Sequence, residues 1–234
     1  MSNLNLKWIN LVFIIDKSGS MWPSTTDVIG GFNKTIEDQK AIKDGKVTVS
    51  LYTFNDKVNE EYVGVDINDI GEFKYSPNGM TAMNDGIGTG IYKVGQWLHE
   101  KDEKNEEMPG KTVVVVMTDG MENSSKEYTL KQVQDMIKEQ TDKYSWEFIY
   151  QGSDITTSKA ADELGFKFKT FGSKRNFCKN YDMINTAVSS YRKLANTGAT
   201  MDAVNAMFCA TLNEEATKNT LDYEKELGRK ISTT

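Results

Sequence analysis

Three short stretches carry the residues able to do chemistry: Asp16-Lys-Ser18-Gly-Ser20, the loop Pro77-Asn-Gly-Met-Thr81-Ala-Met-Asn-Asp85, and Thr118-Asp119-Gly120. Asp, Ser and Thr offer oxygen and neither nitrogen nor sulfur. Such a set suits a hard divalent cation, Mg²⁺ first, with Mn²⁺ or Ca²⁺ as competitors. Mg²⁺ takes a near-octahedral oxygen shell at about 2.0–2.1 Å and keeps some of its waters. The hydroxyls of Ser18, Ser20 and Thr81 are neutral, so Asp16 and Asp119 alone leave the ion short of negative charge. An acidic oxygen from another molecule would complete the shell. Gly19 lets the first loop turn tightly enough to aim both serine hydroxyls one way. Each stretch also has an ordinary reading: a strand-end turn at 16–20, a helix N-cap at Thr81, a turn carboxylate at Asp119. Their joint occurrence favours the cation.

Other chemistries are poorly supplied. His99 is the only histidine and sits near an expected helix end before a charged loop, facing solvent. That removes a Ser-His-Asp triad and a histidine-based nuclease site. No GxxxxGK[ST] occurs and no GxGxxG follows the first strand; Gly86-x-Gly-x-Gly90 falls on a helical stripe and reads as packing. Two cysteines, Cys178 and Cys209, make neither a disulfide framework nor a zinc site. Twenty-eight basic residues against 34 acidic ones, net −6 and spread along 234 residues, give no footprint for nucleic acid or an anionic membrane. No apolar run approaches a membrane span, and the opening MSNLNLKWIN is not a signal sequence. The expectation is a soluble, cytoplasmic protein.

The elements that must position these loops follow from hydrophobic pattern. Leu11–Ile15 and Val113–Met117 are continuous apolar runs, as strands covered on both faces require. Val47–Phe54 alternates, Trp146–Tyr150 is short and aromatic, and Phe166–Phe171 alternates as an edge strand would. Only Asn55-Asp-Lys57 separates Val47–Phe54 from Val58–Val65, which predicts an antiparallel hairpin. Helical spacing links Val28, Ile29, Phe32 and Ile36, after Ser24-Thr-Thr26 as candidate caps. It also links Met83, Ile87, Ile91, Val94 and Leu98, and then Leu130, Val133 and Ile137 after Thr129. A fourth helix is expected over 154–164, capped by Ser153 or Asp154 and stopped by Gly165. The charge run Glu100–Glu107 reads as a solvated loop. The pattern is α/β: a sheet sandwiched by helices, with one antiparallel hairpin inserted in it.

The chain then divides near Gly172, giving a domain over 1–172 and a helical C-terminal extension over 173–234. Phe177, Tyr181, Ile184, Val188, Tyr191 and Leu194 form an amphipathic stripe, more simply packed back on the sheet than turned to a partner. Beyond Gly198 the pattern weakens. Val204, Met207, Phe208, Thr211 and Leu212 share a side, and Asn213–Arg229 is mostly charged.

Asp16-x-Ser-x-Ser20, Thr81 in its Gly-x-Thr loop and Thr118-Asp119-Gly120 resemble the metal-ion-dependent adhesion site of von Willebrand factor type A domains. The resemblance spans residues from about 6 to 172, with each loop next to the expected element. Phe-Ile-Ile-Asp-Lys-Ser-Gly-Ser-Met21 and Met-Thr-Asp-Gly-Met-Glu-Asn123 look most like small bacterial or phage single-domain members. What the resemblance implies is a Rossmann-like α/β fold: a central, mostly parallel sheet with one antiparallel edge strand and helices on both faces. Ser18, Ser20 and Thr81 would be hydroxyl ligands, and Asp16 and Asp119 would bind the ion directly or through water.

Met21, Trp22, Met80, Met121 and Glu122 flank the three loops and are candidates for a partner-contacting rim. Asn84 and Asp85, one helical turn past Thr81, are candidates for orienting it. The leading function is a binding module, not an enzyme, that docks an acidic residue of a partner protein through Mg²⁺. Two other readings stay open. One is a structural protein that self-assembles as a homo-oligomer through the helical tail. The other is a Mg²⁺-dependent hydrolase or phosphotransfer enzyme, for which no general base stands out.

Overall fold

The computed structural model describes residues 3–153, 158–171, 178–226 and 228. Its two innermost strands are the continuous apolar runs. β1 (Leu4–Asp16) and β4 (Met108–Thr118) lie parallel, with Leu11 opposite Val113 and Ile15 opposite Met117. β2 (Lys46–Phe54) flanks β1 on its other side, and β3 (Val58–Asp66) returns antiparallel to β2 at the sheet edge. β5 (Glu147–Gly152) and β6 (Phe168–Phe171) continue the sheet beyond β4, both parallel. The order is β3-β2-β1-β4-β5-β6. The chain leaves β1 to one side and re-enters at β4 on the other, so the order reverses between them. Loops at the carboxyl ends of those two strands diverge there and leave a crevice.

Alternation along the strands splits the apolar side chains into two cores. On one face Ile9, Leu11, Phe13 and Ile15 of β1 pack with Val113, Val115 and Met117 of β4. Covering them are Val28, Phe32 and Ile36 of α1 (Thr25–Ala41), Tyr181, Ile184, Val188 and Tyr191 of α5 (Cys178–Asn196), and Val204, Phe208 and Leu212 of α6 (Met201–Glu226). On the other face Val12, Ile14, Val114 and Val116 meet helices α2 (Met83–Glu103), α3 (Leu130–Tyr144) and α4 (Ser158–Glu163). The stripe from Tyr181 therefore covers the sheet. α2 lies so close that a Cβ at Gly86 would come within 2.7 Å of Phe54 and one at Gly90 within 2.8 Å of Ile14. Those glycines give up helix propensity for contact with the strands.

The helices are fastened at their ends. Thr129 and Gln132 form a reciprocal capping box at the start of α3. Arg192 of α5 is buried and donates to the carbonyls of Gln39, Ile42 and Asp44 at 2.7–2.9 Å and to Gln39 Oε1 at 3.0 Å. It thus satisfies carbonyls that the end of α1 leaves without a helical partner.

Several boundaries differ from the sequence expectation. β1 begins seven residues before Leu11, because Leu4 and Asn5 still find partners in Met108 and Pro109 of a longer β4. Glu100–Glu103 close α2, so only the second half of the charge run leads into the next strand. α1 starts after Ser24, whose hydroxyl does not cap it. α6 is one continuous helix, and Met207 points outward, to one side of the buried line of Val204, Phe208 and Leu212. β6 starts at Phe168, and Phe166 turns instead into the opposite core. The expected cap at Asp154, the boundary at Gly172 and the helix start at Phe177 lie outside the described residues. His99 is exposed beside Glu103, as expected.

Candidate functional site

Asp16 ends β1 fully buried, and its two carboxylate oxygens are engaged in different directions. Oδ1 accepts the backbone N–H of Ser18 at 2.7 Å, and Oδ2 accepts the hydroxyl of Thr118 from the end of β4 at 2.6 Å. The Tyr75 hydroxyl donates to the Asp16 carbonyl at 2.5 Å. Burial pushes the Asp16 carboxyl up from its ordinary 3.8 to about 6; the hydrogen bonds from Thr118 and Ser18 oppose this and the nearby Asp119 charge adds to it.

The loop after β1 turns through a short 3₁₀ helix, Gly19–Ser24. Before it, Ser18 is buried and its Oγ lies 3.0 Å from Ser20 Oγ. Ser20 in turn donates to Asp119 Oδ1 at 2.6 Å, bridging the gap between β1 and β4. Thr81 reaches the same place from a third loop. A Cβ placed on Gly120 would lie 3.2 Å from Thr81 Oγ1 and 3.5 Å from Ser20 Oγ. The five expected residues thus converge on one small region, with Gly120 keeping it open.

The Thr81 loop is held by its neighbours and not by helix capping. Asn78 N–H donates to the Lys17 carbonyl at 2.8 Å and Gly19 N–H to the Gly79 carbonyl at 3.0 Å. The Asn55 side chain of the β2–β3 turn donates to the Asn78 carbonyl and Oδ1 at 3.1 and 2.9 Å. Gly79 takes φ +77°, and a Cβ there would strike Asp56. Thr81 itself pairs with Asn123: Thr81 N–H donates to Asn123 Oδ1 at 2.9 Å and Asn123 N–H to the Thr81 carbonyl at 3.0 Å. The cap position of α2 is Ala82, so Thr81 is not its N-cap.

Two expectations for the surroundings change. Met21 is fully buried in the core beneath the loop, because the 3₁₀ turn directs it inward, so it cannot serve as rim. Trp22, Met80 and Met121 are exposed, at 67%, 51% and 72%. Glu122 is turned into the fold: its carboxylate accepts the N–H groups of Asn84, Ser124 and Ser125 and the Ser125 hydroxyl, all within 2.9 Å. Asn84 and Asp85 do not orient Thr81. Asp85 instead accepts the N–H groups of Lys126, Glu127 and Tyr128 at 2.8–2.9 Å. These two carboxylates lash the 122–128 loop across the start of α2, Glu122 by accepting the Asn84 N–H that α2 leaves open and Asp85 by accepting N–H groups of the loop itself.

Sequence reasoning did not assign roles to Thr118, Tyr75, Asn123 or Asn55. Thr118 lay in the motif, but its bond to Asp16 depends on strand register, one step past the Ile15–Met117 pair. Tyr75 and Asn55 are distant in sequence from what they hold, so only the fold reveals them.

Chemically the region offers two carboxylates and three hydroxyls. Among the described residues no three His, Cys, Asp or Glu side chains cluster as an all-protein metal cage. An oxygen-only set with so few carboxylates fits a hard cation that keeps outside ligands, and Asp16, Ser18, Ser20, Thr81 and Asp119 are the residues able to hold one.

The family model for the von Willebrand factor type A domain matches residues 10–145, more than half of the chain. Among solved structures, the fold is similar to the PilB minor pilin of Streptococcus sanguinis (TM-score 0.57, 13% identity, 82% of this chain and 63% of that one). It is also similar to proximal thread matrix protein 1 of the mussel byssus (TM-score 0.52, 14% identity, 86% of this chain and 46% of that one). The chain therefore spans about half of the mussel protein and somewhat under two thirds of the pilin. At these identities the likeness is one of fold.

Proposed function

The chain belongs to the von Willebrand factor type A domain family, whose members often mediate metal-dependent protein interactions, and on that premise we propose that it docks a partner protein through a divalent cation. Asp16, Ser18, Ser20, Thr81 and Asp119 hold the cation, Mg²⁺ by the hardness of its ligands and Mn²⁺ or Ca²⁺ as substitutes. The ion supplies a Lewis-acidic position for an Asp or Glu carboxylate of the partner. The protein's own residues hold the oxygens in place: Thr118 and the Ser18 N–H orient Asp16, Ser20 tethers Asp119, and Asn123 fixes the Thr81 backbone. We propose the division at 172 as well, with residues 1–172 carrying the family fold and α5 and α6 of the extension closing one face of it.

The observation that carries this reading is the convergence of Ser20, Thr81 and Asp119 around Gly120, from three loops far apart in sequence. Nothing comparable supports hydrolysis, since Glu122 and Asp85 are consumed by backbone N–H groups and supply no free base. Calorimetric titration of Mg²⁺ and Mn²⁺ into wild type and into an Asp16→Ala, Ser18→Ala double variant tests it. Saturable binding in wild type, lost in a folded double variant, is the expected result. A folded wild type that takes up neither ion would overturn the reading.

A further inference from the structure

Eight large apolar side chains are exposed among the described residues: Leu4, Trp22, Met80, Tyr92, Met121, Leu130, Tyr144 and Met207. Three of them, Trp22, Met80 and Met121, come one from each of the three loops of the site. Met80 adjoins Thr81, Met121 adjoins Gly120, and Trp22 lies two residues past Ser20. The contacts around Gly120 draw those three backbone points together. Gly19 N–H also bonds to the Gly79 carbonyl, joining the Trp22 loop to the Met80 loop. The exposure is selective, since Met21 next to Trp22 is fully buried. Glu122 next to Met121 is drawn inward by four hydrogen bonds, which leaves the rim apolar on that side.

Resting on the metal-docking reading above, we infer that the occupant of this site is a protein segment whose acidic residue is flanked by apolar side chains. The carboxylate supplies the charge the ion lacks, and Trp22, Met80 and Met121 cover the neighbours on either side. A small or highly polar carboxylate satisfies the first demand and leaves three large apolar groups in water. Two methionines and a tryptophan make an adaptable surface, so the flanking residues need be apolar without being of one shape. Buried aromatic anchors at the centre of a contact carry a disproportionate share of affinity, which singles out Trp22.

The test uses the full chain saturated with Mn²⁺ and three capped tripeptides: Leu-Asp-Leu, Gly-Asp-Gly and Leu-Asn-Leu. Calorimetry first establishes Mn²⁺ binding, then each peptide is titrated in. Leu-Asp-Leu should bind at least tenfold more tightly than Gly-Asp-Gly, and Leu-Asn-Leu should not bind. A Trp22→Ala, Met121→Ala variant should bring the two aspartate peptides to equal affinity with Mn²⁺ binding unchanged; both side chains are exposed, so the fold tolerates their loss. Equal affinity of the aspartate peptides for wild type, no binding of either, or a preference that survives the double variant would each overturn the apolar rim. Failure of Mn²⁺ to bind would overturn the metal reading and this inference together.

Discussion

Asp16 answers two opposed demands. Its place at the end of a central strand buries it, and burial penalises the charge that the proposed cation would need. Burial pushes the folded-state carboxyl up to about 6 from an ordinary 3.8. A raised carboxyl means that the folded state binds its proton more tightly than the unfolded one. Below about pH 4 both states are protonated and nothing is lost. As pH rises through 4 to 6, stability falls, and the full deficit is present at pH 7. One pKa unit is worth about 1.4 kcal/mol, so the deficit is on the order of 3 kcal/mol. Asp16→Asn should therefore raise the thermal midpoint of the protein in chelator at pH 7, with little gain at pH 4, while removing one of the proposed cation ligands. Melting curves at the two pH values check this; an equal change at both would show that the burial of charge is not the cause.

At the scale of elements, loops are placed by what ties their ends. The Thr81 loop is held between the β1 loop and the β2–β3 turn, and the 122–128 loop is lashed over α2 by Asp85 and Glu122. Arg192 does the same for helices, joining α5 to the end of α1 through three backbone carbonyls and Gln39. Its planar fork meets them together, which the single ammonium of lysine does not. Arg192→Leu should cost about 2–4 kcal/mol, because buried carbonyls lose their donors, and Arg192→Lys should recover only part of it. Urea denaturation midpoints would decide; a change within about 0.5 kcal/mol for either variant would mean that water replaces the guanidinium.

For the whole molecule, the sheet needs both helical layers. α5 and α6 contribute Tyr181, Ile184, Val188, Tyr191, Phe208 and Leu212 to the core that also contains the inward side chains of β1 and β4. Ending the chain at residue 172 would uncover that face, an apolar area well beyond what a soluble monomer exposes. Such a chain should lose its cooperative thermal transition and self-associate, as calorimetry and sedimentation would report. A sharp transition at the full-length temperature would instead mean that the two helices only rest on a finished domain.

Much of this was legible in the residues. Two uninterrupted apolar runs are what strands covered on both faces require, and Leu11–Ile15 and Val113–Met117 are the centre of the sheet. The three-residue turn at Asn55–Lys57 points to a hairpin, and Asp16, Ser18, Ser20, Thr81 and Asp119 together point to the proposed cation by residue type and joint occurrence. Local pattern sees only neighbours along the chain, however. Strand register decided that Thr118 meets Asp16. The direction of a 3₁₀ turn decided that Met21 is core while Trp22 is surface, although both look equally suited to a rim. Hydrogen-bond demand at the start of α2 drew Glu122 inward, since open N–H groups in a partly buried crevice need acceptors. Residue types along the chain fix which oxygens exist; folding selects which of them converge and which are taken up by the backbone, because that depends on groups brought close only in three dimensions.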